Sequence, residues 1–267
     1  MRLSSAVVCG PGKIRDENQD NYYLDGMYRS DPSDASVFRL QSNIGGAAIY
    51  AVADGMGGEK HGEIASLLAV SSAWKIDVRR GRDELIQYLS DRNDELCQFI
   101  TDNGGVRSGS TFVGLCICGK IADLINIGDS RAYLLRDSSL TQLSQDHTAI
   151  RQMVELGVVS PEAARSHPNR HRLTQHLGIF PDEMIIEPNA VSMEVLSDDV
   201  FLLCSDGLYD MVEDDRIQEI LTASGSLQEK ASELFSAAMD AGGKDNITVL
   251  LVHVEEDGEE ELHERTV

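Results

Sequence analysis

Basic side chains are scarce in this chain of 267 residues: 23 Lys and Arg stand against 45 Asp and Glu, giving a formal charge of −22. Proteins hold a polyanion by letting Lys and Arg displace its counterions, so nucleic acid is excluded as a partner and cations or basic partners fit better. Part of the acidic excess is the run 255–264, like charge that reads as a solvated, loose tail over 255–267. Cysteine is sparse as well. Cys9, Cys97, Cys116, Cys118 and Cys204 are odd in number, lack zinc-type spacing and sit mostly in apolar runs, which excludes a disulfide framework and suits buried thiols in a reducing, cytoplasmic setting. No apolar run approaches the roughly 18 residues of a membrane span, and the apolar part of the amino terminus is too short for a signal peptide. What remains is the composition of a soluble globular protein, with 42% hydrophobic and 25% charged residues. One domain over 1–254 is expected, as a monomer without a membrane partner.

Three catalytic patterns are also missing. Gly12-Lys13 hints at a phosphate loop, but the upstream glycine is absent and Ile14 stands where Ser or Thr would hold magnesium. Cys9 and Arg15 have the Cys-x5-Arg spacing of cysteine-dependent phosphatases, yet Asp16 follows the arginine and an apolar strand raises the thiol pKa. A phosphatase working through an aspartyl-phosphate needs Asp-x-Asp after a strand, and the chain contains no such pair.

What is present is a repeated arrangement of apolar runs and acids. The run 49–53 ends in Asp54-Gly55-Met56-Gly57-Gly58, and glycine there lets backbone carbonyls and a carboxylate face one point. The run 200–204 ends the same way in Ser205-Asp206-Gly207, and 122–127 ends in Gly128-Asp129-Ser130. Ahead of the first run, 26–46 reads as a polar connection, and after it 63–76 and 83–100 read as amphipathic helices whose stripes, with Trp74, pack into the core. Strands are expected at 3–9, 111–118, 122–127 and 131–135, the last three as an antiparallel meander, and again at 185–195, 200–204 and 247–254. Helices are expected at 214–221 and 226–239, the second opened by a Ser226/Glu229 capping box. The segment to about 172 is an exposed excursion poor in apolar residues.

Asp54, Asp129 and Asp206 follow their strands, whereas Asp20 and Asp245 precede theirs, so antiparallel pairing can bring all five to one edge. Two carboxylates 4 Å apart repel by roughly 4 kcal/mol at an effective dielectric of 20. Divalent cations are the natural remedy, and an all-oxygen set favours magnesium or manganese over zinc or copper. Two such ions can activate a water for in-line attack on phosphorus, and Arg15 at the same edge can fork onto the phosphate.

The stretches Arg15 to Asp20, Asp54-Gly55-Met56-Gly57-Gly58 with Gly62-Glu63, Gly109-Ser110-Thr111, Gly128-Asp129-Ser130-Arg131, Ser205-Asp206-Gly207 and Gly242-Gly243-Lys244-Asp245-Asn246 resemble, in order, the metal-dependent Ser/Thr protein phosphatases of type 2C in their compact bacterial form. The resemblance implies an α+β, four-layer α-β-β-α sandwich of two antiparallel sheets flanked by helical hairpins, with a flap at 145–172. It also implies hydrolysis of phosphoserine and phosphothreonine in proteins, opposing a bacterial Ser/Thr kinase. Asp54 would bridge two central Mn2+ or Mg2+ ions, the Gly55 carbonyl, Asp206 and Asp245 would complete their shells, and Asp20 would act through water. Asp129 with Asp206 would hold a weaker third ion, and Arg15 would bind the substrate phosphate. Two departures leave the general acid open: Met56 and Glu59 stand where relatives carry histidine, with His61 close by. The alternative is a catalytically silent type 2C-like binding module.

Overall fold

The computed structural model describes residues 1–31, 37–44, 47–56, 61–164 and 167–255. In chain order the strands and helices are β1 (Arg2–Gly10), β2 (Asp20–Leu24), β3 (Met27–Tyr28), β4 (Val37–Ile44), β5 (Ala47–Met56), α1 (Gly62–Val70), α2 (Arg82–Asp102), β6 (Gly109–Ser110), β7 (Phe112–Cys118), β8 (Ile121–Ile127), β9 (Arg131–Arg136) and β10 (Ser139–Gln142). There follow α3 (Ala149–Glu155), α4 (Pro161–Ala164), β11 (Asn189–Glu194), β12 (Val200–Cys204), α5 (Asp206–Tyr209), α6 (Asp214–Thr222), α7 (Leu227–Asp240) and β13 (Ile247–Glu255). Among the described residues one sheet runs β10-β9-β12-β13-β1-β4 and the other β11-β8-β7-β5-β2-β3, with β6 added beside β5. Every strand pairing in them is antiparallel.

The apolar runs are continuous because both faces of each sheet are covered. Along β5, Tyr50 and Val52 enter the layer between the sheets with Leu203 and Val252, while Ile49, Ala51 and Ala53 face α1 and α2. Along β13, Leu250 and Val252 point into the inter-sheet layer, and Val249 and Leu251 pack on α6 and α7. Leu85, Leu89, Leu96 and Ile100 form the buried stripe of α2, and α7 opens with the Ser226/Glu229 capping box. Helices outside, sheets inside: these are the four layers of the α+β sandwich.

Several expectations need correction. The strands at 122–127 and 131–135 do not continue a meander, because β8 and β9 lie in different sheets and Gly128-Asp129-Ser130 carries the chain between them. The connection 26–46 holds β3 and β4, the latter an edge strand on β1; Pro32 lies outside the described residues. The helix expected over 63–76 stops at Val70, and Trp74, in a short 3₁₀ turn, is 66% exposed under the Lys75 ammonium instead of being packed. The strand expected over 185–195 is confined to β11, with Ile185 in solvent. Apart from Glu255, which closes β13, the tail expected at 255–267 lies outside the described residues.

Burial sets two contrasting stabilities. Truncating Leu203→Ala, fully buried between the sheets, should cost about 2–5 kcal/mol in chemical denaturation, whereas Trp74→Ala should change stability by less than about 0.5 kcal/mol.

Candidate metal centre

Five aspartates reach one end of the sandwich by three routes. Asp54 and Asp20 face each other across the β2–β5 pairing. Asp206 opens α5 directly after β12, Asp245 lies just before β13, and Asp129 sits in the crossing between the sheets. Arg15, Asp54, Gly55, Met56, Thr111, Asp129, Asp206 and Asp245 line a single cavity of about 530 Å³. Asp20 lies behind them, fully buried.

The repeated Asp-Gly pair has a packing cause. A side chain at Gly55 would place its Cβ 2.0 Å from the Gly62 carbonyl oxygen, and one at Gly207 would place it 2.0 Å from that of Asn246. In both places neighbouring backbone closes over the residue after the acid, which only glycine permits. The Asp54 backbone is fixed by Thr111, whose N–H donates to its carbonyl at 2.9 Å and whose hydroxyl accepts its N–H at 2.9 Å. Asn246 ties the Asp245 turn to the loop carrying Arg15: its side-chain oxygen accepts the Gln19 N–H at 2.7 Å, and its amide donates to the Glu17 carbonyl at 2.8 Å.

The charges are poorly balanced. The Ser205 and Thr248 hydroxyls donate to Asp20 Oδ2 at 2.6 and 2.7 Å, while Asp20 Oδ1 and Asp206 Oδ1, both buried, have no hydrogen-bond partner. Burial, only partly offset by those hydroxyls, pushes the Asp20 carboxyl up to about 7. Burial and then the neighbouring aspartates raise Asp54 and Asp129 well above the usual carboxylate range, and burial raises Asp206. Two basic side chains reach in from the sides: Arg15 Nη2 lies 2.7 Å from Asp245 Oδ2, and His171 sets Nδ1 3.4 Å from Asp206 and Nε2 3.2 Å from Asp210. Unpartnered buried carboxylate oxygens in a setting dominated by carboxylates fit a hard divalent cation. Among the described residues Asp129, His171 and Asp206 bring one ligand atom each within 4.8 Å of one another, and no other trio meets that spacing.

A profile described as Protein phosphatase 2C matches residues 29–249. The chain belongs to the protein phosphatase 2C family. It is 36% identical over 267 residues to the protein phosphatase PhpP of Streptococcus pneumoniae, covering 97% of this chain and 100% of that one. It is 34% identical over 250 residues to the serine/threonine phosphatase stp of Listeria monocytogenes, covering 90% and 92%. The solved catalytic domain of the serine threonine protein phosphatase PstP in complex with 2 manganese ions superposes with a TM-score of 0.78 at 29% identity, covering 96% of this chain and 100% of that one.

Within this 2C-family cavity, His171 is the residue that sequence reasoning missed. A lone histidine between Arg170 and Arg172 in a polar segment carries no periodicity to mark it. Thr248 and Ser205, which hold Asp20, were hidden inside strand and turn patterns. His61 caps α1 with a left-handed φ of 77° and meets the Phe99 ring edge-on at 5.6 Å, away from the cavity lining. Glu59 lies outside the described residues.

The raised carboxyls predict the pH response of the metal-free protein. Folding favours their protonated forms, so between the ordinary carboxylate range and about pH 7 the folded state binds more protons than the unfolded one, and stability falls as pH rises through that window. Thermal melting with a chelator should show this decline, and Mn2+ at pH 7 should reverse it. In the same assay Gly55→Ala should melt markedly earlier than the parent at every pH.

Proposed function

We propose that this chain hydrolyses phosphoserine and phosphothreonine monoesters in proteins. The carrying observation is the convergence of buried aspartates with unpartnered oxygens on a cavity that also holds an arginine. Membership of the 2C family and relatives named as serine/threonine phosphatases support the same reading. Asp54, Asp206, Asp245 and the Gly55 carbonyl are assigned to two central Mn2+ or Mg2+ ions, Asp20 to their hydration, and Asp129 with Asp206 to a weaker third. Bound there, divalent ions neutralise the acids, lower the pKa of water and draw charge from phosphoryl oxygens.

The chain's own groups supply position and charge. Arg15 is half-exposed and its partner Asp245 lies at the cavity wall, so the guanidinium can exchange that carboxylate for a phosphate and fork onto two of its oxygens. Thr111 and the Asn246 bridge keep Asp54 and the Arg15 loop in place while this happens. Substrates are phosphorylated proteins, and a Ser/Thr kinase is the opposing partner, with the phosphatase working as a cytoplasmic monomer. No helix among the described residues is long and apolar enough to cross a membrane.

The test is turnover of a phosphothreonine peptide with manganese, with and without chelator. Asp54→Asn should lower kcat by about a thousandfold, and Arg15→Ala should raise KM about tenfold with a smaller change in kcat. Turnover that survives chelation, or an Asp54→Asn enzyme of parental activity, would overturn the reading.

A further inference from the structure

A second cavity of about 540 Å³ lies behind the flap segment, and His171 lines both it and the acidic cavity. Its polar lining is unevenly satisfied. Four acids stand on its walls and all are engaged: Asp146 accepts from Arg131 and from Gln142, Asp210 accepts from Arg170 and pairs with His171, Asp214 accepts from the Tyr133 hydroxyl, and Glu213 has a partner of its own. Arg131 is engaged too, forked onto Asp146 and stacked 3.7 Å above Tyr209.

Donors are left over. Arg151 spends only Nε, on Glu155 at 2.8 Å, in a solvent-exposed pair of the kind worth little in water. Arg170 spends only Nη2, on Asp210 at 3.1 Å. Lys244, next to Asp245 in the chain, has no hydrogen bond or acidic partner among the described residues. In a protein of charge −22, whose general field repels phosphate, three side chains with unused N–H groups beside the phosphate-cleaving cavity define a place for a second anion. Donors on three separate side chains match a dianion with three acceptor oxygens better than a carboxylate with two.

We infer that this cavity receives a second phosphoryl group on the same substrate chain, so that the enzyme favours segments phosphorylated at two neighbouring residues. The inference rests on the phosphatase reading above and specifies its substrate class.

The test uses the full chain with manganese and phosphothreonine peptides carrying, at a series of spacings on either side, a nonhydrolysable phosphonate residue, a glutamate or a neutral residue. At one or more spacings the phosphonate peptide should show about tenfold higher kcat/KM than the neutral one, mostly through KM, and the advantage should shrink as salt is raised. Arg151→Gln and Lys244→Gln, separately and together, should reduce it to twofold or less, while turnover of the neutral peptide and of a small aryl phosphate stays within twofold of the parent. Equal kcat/KM for phosphonate and neutral peptides at every spacing, or an advantage that persists in the double variant, would overturn the inference, as would an equal gain from glutamate. No turnover of the neutral peptide by the parent enzyme would instead sink the phosphatase reading itself.

Discussion

Carboxylates crowded into a dry corner repel one another, and the architecture of this protein both creates that crowding and holds it. Each pair of charges 4 Å apart costs roughly 4 kcal/mol at an effective dielectric of 20, against a total stability of about 5 to 15 kcal/mol for a typical fold. Asp20, Asp54, Asp129 and Asp206 show the strain in raised carboxyl pKa values, with burial the leading cause in every case. The metal-free protein eases it with what it has: two hydroxyls on Asp20, Arg15 on Asp245 and His171 on Asp206. Two buried oxygens remain unserved. A divalent cation, with its bound water, fits what they lack.

Antiparallel pairing makes the crowding possible. Since β2 and β5 run in opposite directions, an acid that begins one and an acid near the end of the other stand face to face, and the same logic sets Asp206 after β12 near Asp245 before β13. The sheets can carry this polar edge because their other ends and faces are apolar, covered by α1 and α2 on one side and by α5, α6 and α7 on the other. Glycine after the acid completes the device, leaving room for the backbone of residues 62 and 246 to close in. Arg151, Arg170 and His171 then bring basic side chains to the walls of the cavities beside this edge.

Much of this was legible in the residues. Doubly covered strands are short apolar runs, so β5, β7, β8, β12 and β13 stood out, and an acid at the end of such a run is conspicuous. What was hidden depends on partners distant in sequence. A three-residue link such as Gly128-Asp129-Ser130 looks the same whether it turns a hairpin or changes sheets. An edge strand such as β4 lacks the apolar run that marks an interior one. Trp74 continues the helical spacing of the stripe expected over 63–76, yet it follows the end of α1 and points to water. His171 acquires meaning only when its segment lies beside Asp206, which no local pattern reports.

The account depends on cations occupying the corner where the acids meet. Anomalous diffraction from crystals grown with Mn2+ tests it directly. Two manganese peaks in the cavity, ligated by Asp54, Asp206 and Asp245, are predicted. Crystals of active enzyme at saturating Mn2+ with no manganese peak in that cavity would contradict it.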